Sequence, residues 1–275
     1  MAETTHVGRQ GFEAILIRTI TLTLLALLLA PIVMVIIMSF TSVATLQFPP
    51  PGLSLRWYKE VWDLFAGPDA GIARLAESLW ASLKIAAATA ILCLLVGVPA
   101  SYVLVRGSFR GRVVAEEALG LPVVFPTVVL GVALLMLVSL SGLDFGLWQI
   151  VIAHAIVGLP FMMRNCMASM RGIDPVLQEA AKTLGASSVR AFFEIVLPLS
   201  REGIVSGALL VFVISFNEFT LSYFLYTIDV FPLSIWLFQQ SNTSFSPAIF
   251  AISTLTILIT VAAILIVDML AGRKR

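Results

Sequence analysis

Long stretches without a charged residue divide this chain, and they constrain its fold more than any other feature. They lie between Arg18 and Arg56, Lys84 and Arg106, Glu117 and Asp144, Asp144 and Arg164, and Asp229 and Asp268. A helix that crosses a membrane needs about 20 mainly apolar residues. We therefore predict spans at about residues 18–40, 80–104, 117–140, 147–167 and 247–269. A further span, at about 203–223, reaches this length only if Glu218 lies inside the helix.

The composition supports a membrane protein. Hydrophobic residues make up 59% of the chain and charged residues 12%, against about 25% charged residues in a soluble domain. This excludes a soluble enzyme, a nucleic-acid-binding protein and a disordered scaffold. The net charge of +1 gives no reason to expect a polyanionic partner. We predict an all-α, polytopic membrane protein with about six transmembrane helices, which form a single domain over residues 1–275.

Basic residues give the predicted orientation. With the N-terminus inside, all but four of the 17 lysines and arginines fall on the cytoplasmic side; the exceptions are Arg56, Lys59, Arg74 and Lys84. Cytoplasmic segments of membrane proteins carry such an excess of positive charge, so we expect both termini in the cytoplasm. The first span is interpreted as a retained anchor, because its apolar core is too long for a signal peptide and no Ala-x-Ala cleavage site follows.

Two loops are predicted on the outer side. Within residues 41–79, apolar side chains at helical spacing indicate a helix at the membrane interface; they are Trp57, Val61, Trp62 and Phe65. Residues 223–246 are unusually apolar. Two interpretations of this segment carry equal weight: a short re-entrant helix, or a surface that packs against a partner chain.

The longest predicted cytoplasmic loop, residues 168–202, has the pattern of two short helices. Asp174 is a suitable N-cap, and Pro175 suits the first helical position. Gly185 ends this helix. Between them runs an apolar stripe at helical spacing, formed by Val176, Leu177, Ala180, Ala181 and Leu184.

The second helix of this loop is predicted to begin at Ser187 or Ser188. It is expected to break at Pro198 and to bury three apolar side chains, those of Phe192, Phe193 and Ile195. Two short helices joined by a glycine in a cytoplasmic loop are suited to dock on another protein.

The same loop carries a motif with a known counterpart. It runs through Glu179, Ala180, Ala181 and Gly185 to Ile195, Leu197 and Pro198. This resembles the E-A-A…G…I-x-L-P signature of the membrane subunits of binding-protein-dependent ABC importers. The whole chain more loosely resembles the second permease subunit of spermidine/putrescine-type systems, most of all at residues 215–224. One departure is Glu202, which stands where the family often has a proline before Gly-Ile.

The resemblance implies a type I ABC importer permease in a bacterial inner membrane. The loop would dock on a separate ATPase dimer, which would bind ATP and Mg; the permease itself would hold no cofactor. The other implied partners are a second, different permease subunit, a periplasmic or extracellular substrate-binding protein and membrane lipid, but no nucleic acid. The sequence agrees that ATP is hydrolysed elsewhere, because no lysine follows a glycine and a G-x-x-x-x-G-K-[ST] loop is absent.

Asn217 and Glu218 are the candidate residues of a substrate path. An ionised carboxylate inside a span costs on the order of 2.5–3.5 kcal/mol, so Glu218 should face a watery cavity or a partner. It either pairs with the second permease subunit or, together with Asn217, attracts a cationic solute. The resemblance makes a polyamine the leading substrate; opines, aminophosphonates and iron chelates are the alternatives.

Two other classes of function fit the sequence less well than an importer permease does. A secondary transporter would show repeats in its halves, and we find no convincing repeat. An intramembrane enzyme would need a polar catalytic set, and only His154, Asn217 and Glu218 are available. We interpret His154 as a packed or hydrogen-bonded histidine, and Cys93 and Cys166 as buried free thiols.

Overall fold

The structure is a computed structural model, and it describes residues 3–66, 74–142, 146–243 and 245–272. Helices occupy most of these ranges, and no β-strand occurs in them; one isolated antiparallel bridge joins Thr41 to Leu53. The all-α prediction is therefore confirmed. The basic residues at 273–275, which contributed to the predicted orientation, lie outside the described ranges.

The helices follow the apolar runs of the sequence. In chain order they are α1 (Glu3–Met38), α2 (Arg56–Ala66), α3 (Arg74–Arg106), α4 (Arg112–Ala118), α5 (Leu121–Val124), α6 (Thr127–Ser141), α7 (Leu147–Arg171), α8 (Pro175–Thr183), α9 (Ser188–Ala191), α10 (Leu197–Leu199), α11 (Arg201–Asn217), α12 (Thr220–Leu225), α13 (Leu233–Thr243) and α14 (Ala248–Gly272). A π-helical turn, Phe192–Val196, joins α9 to α10. Among them, α1, α3, α7 and α14 are long and apolar enough to cross a membrane.

Two further candidate spans are bent. Arg112–Val124 meets α6 at 95°, and Ser188–Leu199 meets α11 at 72°. If each bent pair is counted as one span, the described residues provide up to six candidate spans. The number agrees with the prediction of about six, but two of the predicted helices are not continuous.

The breaks correct two of the predicted spans. The span at 117–140 is interrupted at Pro126, which lies directly before α6, because proline lacks the N–H that would continue a helix. The span at 203–223 ends early: α11 stops at Asn217, and Glu218 has an extended backbone with ψ of 113°. Glu218 therefore does not lie inside a continuous helix.

The described residues group into two compact units. The first comprises residues from Met1–Ala66 and Ser244–Ile257, and the second comprises residues from Gly67–Thr243 and Leu258–Arg275. In the first unit α2 forms as predicted, with Trp57 and Val61 buried and Trp62 and Phe65 exposed. The Trp57 indole Nε1 donates a hydrogen bond of 2.6 Å to the Thr41 carbonyl, so this helix is packed on the loop that precedes it.

The second unit is built around α3, α7 and α11, which pack against one another. Their shared core is rich in sulfur side chains, among them Met162, Cys166 and Met170 of α7 and Cys93 of α3. Both cysteines are buried and free, as predicted. Unbranched methionines suit a core of this kind, because they fill irregular gaps between helices.

Glycines allow α11 to approach α7 closely. A β-carbon at Gly203 would lie 2.4 Å from Ser169 Cβ and 2.7 Å from the Asn165 carbonyl, and one at Gly207 would lie 2.9 Å from Met162 Sδ. Glu202 stands beside Gly203 in the first turn of α11. A carboxylate is favourable at that end of a helix, and a proline would also fit there, so the departure at Glu202 leaves the helix start intact.

Most of the apolar segment 223–246, residues 223–243, belongs to the second unit and packs within that unit. It contains the end of α12 and all of α13, whose side chains Leu233, Ile235 and Trp236 are buried. α13 contacts α3, and the Leu233 N–H donates a hydrogen bond of 2.8 Å to Ser82 Oγ. The segment is therefore helical in part, and its buried face is covered by α3 of the same chain.

Candidate functional site

The first helix of the loop at 168–202 has the predicted ends. The Asp174 side chain accepts a hydrogen bond of 2.9 Å from the Val176 N–H, and Pro175 is the first helical residue. Gly185 has a φ of +93°, a left-handed conformation that glycine adopts without strain. Its N–H bonds to the Lys182 carbonyl and the Ala186 N–H to the Ala181 carbonyl, each at 2.9 Å. These two bonds form a Schellman C-cap.

The second helix of the loop differs from the prediction. It begins as expected, because Ser187 Oγ accepts a hydrogen bond from the Arg190 N–H. It then passes through the π-helical turn and continues past Pro198 to Leu199. Pro198 is the second residue of α10, directly after the π-helical turn. The change of direction comes at Ser200 instead.

The apolar stripe of α8 faces away from the rest of the chain. Val176 is 61% exposed and Leu184 is 89% exposed, and Leu177 is exposed as well. In the second helix, Phe192 and Ile195 are only half-buried and Phe193 is exposed, so the predicted burial of Phe193 is wrong. The loop thus presents apolar side chains that nothing else among the described residues covers.

The predicted coupling residues lie along this loop with different exposures. Glu179, Ala180, Gly185 and Pro198 are exposed, whereas Ala181, Ile195 and Leu197 are half-buried. Glu179 makes no side-chain hydrogen bond or ion pair with a described residue; its carbonyl accepts one from Thr183 Oγ1. The only ion pair within the two short helices joins Arg190 to Glu194 at 2.9 Å. The Glu179 carboxylate is therefore available to another chain.

Two side chains at the end of α3 hold the loop in place. The guanidinium of Arg106 donates to the carbonyls of Met170 at 3.1 Å and Ile173 at 2.5 Å, where α7 ends. The Tyr102 hydroxyl accepts a hydrogen bond of 2.9 Å from Gln178 Nε2, and its ring lies 4.7 Å from that of Phe192. These contacts fix both short helices to α3.

Sequence reasoning missed this clamp. Gln178 is the buried residue of α8, although it is polar and the stripe beside it is apolar. A polar residue flanked by apolar neighbours on a short helix is the one available signal, since it indicates that the helix packs inward through a hydrogen bond. No local pattern points to Tyr102 or Arg106, which lie far away along the chain.

Asn217 and Glu218 lie at the other end of α11 from the loop. α11 has 17 residues, which gives about 25 Å at 1.5 Å per residue. Asn217 is exposed and its amide donates to the Val213 carbonyl at 2.8 Å. Glu218 is half-buried, and its Oε1 accepts a hydrogen bond of 3.1 Å from the Leu221 N–H. The carboxylate therefore stabilises the start of α12.

The segment that follows Glu218 carries several aromatic residues whose rings lie close to one another. The ring of Phe219 lies 5.6 Å from Tyr223 and 5.1 Å from Phe238, and Tyr223 lies 6.4 Å from Tyr226. Tyr223, Tyr226 and Phe238 are exposed. Exposed ring faces attract cations, and two of these rings, Tyr223 and Tyr226, belong to the segment that begins at Glu218.

His154 is buried and hydrogen-bonded, as predicted. Its Nδ1 lies 2.8 Å from Ser215 Oγ and its Nε2 lies 3.2 Å from Ser222 Oγ. The three side chains come from α7, α11 and α12, so this histidine joins the helices on both sides of the break at Glu218. The predicted packing role of His154 is confirmed, but the sequence did not predict that it would connect α11 and α12 across the break at Glu218.

Comparison with known proteins identifies the family. Residues 94–275 match the model of the binding-protein-dependent transport system inner membrane component. The chain belongs to this family. The matched region contains the loop at 168–202, both bent spans and the residues around Glu218. Proteins of this family are permease subunits of ABC importers and are not enzymes, because the ATPase is a separate subunit.

Two of the similar proteins cover most of the chain, and a third covers about half of it. The spermidine/putrescine transport system permease protein PotC of Haemophilus influenzae is 29% identical over 223 residues, which cover 81% of this chain and 84% of the relative. PotC of Escherichia coli K12 is 27% identical over 251 residues, which cover 90% of this chain and 91% of the relative. The molybdate/tungstate transport system permease protein WtpB of Pyrococcus abyssi is 38% identical over a shorter region, 52% of this chain and 57% of the relative.

Solved structures show the same permease fold. A chain of a bacterial ABC transporter involved in import of the acidic polysaccharide alginate superposes with a TM-score of 0.70 at 18% identity, covering 94% of this chain and 96% of that one. A chain of the MetNI methionine ABC transporter, in an inward-facing conformation, superposes with a TM-score of 0.62 at 15% identity. The superposition covers 72% of this chain and 94% of that one. The predicted importer permease fold is confirmed.

Proposed function

We propose that this permease subunit imports a cationic polyamine of the spermidine/putrescine kind and forms half of the translocation path. The observation that carries the proposal is the placement of Glu218. Its carboxylate lies at a helix break, the exposed rings of Tyr223 and Tyr226 follow within eight residues along the chain, and only Oε1 accepts a described hydrogen bond. A carboxylate and ring faces together suit an alkylammonium group. The similarity to PotC over most of the chain supports the same substrate class.

The loop at 174–198 is proposed as the docking site for the ATPase. The exposed stripe of α8 would fill an apolar groove on that subunit, and Glu179 would meet a basic residue beside the groove. The clamp formed by Tyr102 and Arg106 would transmit force into the helices, because it ties the loop to α3 and to the end of α7.

The remaining partners follow from the same proposal. A different permease chain would complete a heterodimer, an ATPase dimer would bind ATP and Mg, and an external binding protein would deliver the solute. Both termini would lie in the cytoplasm of a bacterial cell. The family is an inner membrane component, which supports this location.

One observation favours a second substrate class. The molybdate/tungstate permease WtpB is 38% identical over about half of this chain, a higher identity than that of either PotC, though over less of the chain. An oxyanion would be repelled by Glu218, whereas a polyamine would be attracted. The charge at position 218 therefore separates the two candidates.

The test is uptake by the complete transporter with all its subunits. We expect uptake of labelled spermidine or putrescine and none of molybdate. Glu218→Gln should lower polyamine uptake by about tenfold or more, because a hydrogen bond or contact to a charged group contributes about 1.5–3 kcal/mol. Gln can still accept from the Leu221 N–H, so the helix start should survive.

Glu202→Gln is the matched control, since it removes a carboxylate from the other end of α11, and uptake should be unchanged. ATPase activity and subunit assembly should persist in both variants. Wild-type uptake of molybdate, or higher molybdate uptake by Glu218→Gln, would support oxyanion import instead. Unchanged polyamine uptake by Glu218→Gln would contradict a role for Glu218 in the path.

A further inference from the structure

We propose that His154 is a positioning residue that carries the movement of α7 to the break between α11 and α12. The proposal deepens the function proposed above and rests on it, since it assumes that the loop at 174–198 moves with an ATPase. The loop at 174–198, called the docking loop from here on, leaves one step of the mechanism unexplained. That step is how a displacement at one end of α11 reaches Glu218 at the other end.

The hydrogen bonds of His154 have the geometry that this role requires. Its imidazole contacts Ser215 in the last turns of α11 and Ser222 in α12, at 2.8 Å and 3.2 Å. All three side chains are buried, and His154 is 3% exposed. A neutral imidazole has one donor and one acceptor nitrogen, and a hydroxyl can serve either. Both bonds can therefore form in either tautomer, and the burial of all three side chains limits their replacement by water.

α12 depends on α7 for its position. It has six residues, too few to be a stable helix by itself. Besides the bond from Ser222 to His154, its last carbonyl, that of Leu225, accepts a hydrogen bond of 2.6 Å from Gln149 Nε2 of α7. On its other side Phe224 packs directly on Gly131 of α6, where a β-carbon would lie 2.5 Å away. Two polar side chains of α7 thus hold the two turns of α12.

The opposite end of α7 leads straight into the docking loop. α7 is continuous from Leu147 to Arg171, and Asp174 already caps α8. Arg106 fixes the carbonyls at this end. The helix between His154 and Arg171 spans about 25 Å at 1.5 Å per residue. A displacement of the loop along α7 would therefore pull on α12 through His154.

The experiment uses the complete transporter with two fluorescent reporters and with Cys93 and Cys166 replaced by alanine. One reporter is attached at Val189→Cys in the docking loop and the other at Ile228→Cys just beyond α12; both positions are exposed. ATP binding should change both signals in the otherwise wild-type protein. In His154→Leu the Val189 signal should still change, while the Ile228 signal should not. Solute transported per ATP hydrolysed should fall about tenfold.

His154→Gln is the conservative variant, because its amide supplies a nitrogen that donates hydrogen bonds and an oxygen that accepts them. It should restore the Ile228 signal and most of the transport. If His154 only filled space, His154→Leu and His154→Gln would give the same Ile228 signal and the same transport. If His154→Leu fails to assemble, Ser222→Ala takes its place, and it should weaken the Ile228 response while leaving the Val189 response intact.

The outcomes separate this proposal from the one on which it rests. A wild-type Val189 reporter that does not respond to ATP contradicts docking through the loop. A Val189 response without an Ile228 response in the wild type contradicts the His154 proposal alone. An unchanged Ile228 response together with unchanged transport in the deciding variant, His154→Leu or Ser222→Ala, also overturns it.

Discussion

At the scale of single residues, the close contact between α7 and α11 depends on glycines, which have no β-carbon. Gly203 and Gly207 face Ser169, Asn165 and Met162 with no space for a β-carbon. Small residues at such contacts let helices approach closely in a membrane, where van der Waals packing replaces the hydrophobic effect as the main attraction. The stability of the core should therefore be sensitive to single methyl groups at these positions.

Gly203→Ala is expected to destabilise the subunit by about 1–3 kcal/mol, the usual cost of overpacking. The new methyl group would meet Ser169 Cβ and a backbone carbonyl, neither of which can move far. Thermal unfolding of the purified transporter measures the effect. Gly120→Ala is the control, because its β-carbon would first meet the flexible end of Arg164 at 3.3 Å. Equal unfolding temperatures for the two variants would contradict the packing argument.

At the scale of elements, the two short helices of the docking loop owe their arrangement to one left-handed residue. The Schellman cap at Gly185 ends α8 and lets Ser187 start α9 two residues later. A side chain with a β-carbon resists this backbone conformation, and a β-branched one resists it most. The relative direction of the two helices therefore depends on glycine at this position.

Gly185→Val should cost on the order of 1–2 kcal/mol locally and should reduce ATP-driven transport severely, because the two helices would no longer present one docking surface. Glu179→Ala should weaken the coupling of ATP hydrolysis to transport more mildly and leave membrane insertion intact. Transport assays with parallel measurements of ATP hydrolysis test both. Wild-type transport by both variants would show that the loop is not the transmission element.

The elements also show what a sequence can predict and what it cannot. Asp174, Pro175 and Gly185 act through neighbouring backbone groups, so their pattern sufficed to locate α8. The helix break at Glu218 was missed, because a count of apolar residues is the same for a straight span and a bent one. The clamp at Tyr102 and the hydrogen bonds of His154 join distant parts of the chain, which a local pattern does not reveal.

At the scale of the whole molecule, the basic residues remain the guide to orientation. The hydrogen bonds of Arg106 and the ion pair between Arg171 and Glu116 bring together the end of α3, the end of α7 and α4, beside the loop at 174–198. The loops richest in arginine therefore cluster at one end of the second unit. This is the distribution expected if that end faces the cytoplasm.

Single-cysteine labelling in a background without Cys93 and Cys166 tests the orientation. We expect Val189→Cys to react with an impermeant reagent only from the cytoplasmic side, and Lys59→Cys only from the outside. Both positions are exposed, so poor access does not limit the reaction. The reverse pattern, or labelling of both positions from one side, would exclude the predicted topology.

The exposed apolar stripe of α8 has a consequence for the life of the subunit before it assembles. The side chains of Val176, Leu177 and Leu184 form an exposed apolar surface, which is the feature that chaperones and quality-control proteases recognise on unassembled proteins. If the ATPase docks on this stripe as proposed, an assembled subunit would bury these side chains, and an unassembled subunit would leave them exposed. The surface proposed to transmit force in the assembled transporter would then also distinguish unassembled subunits from assembled ones.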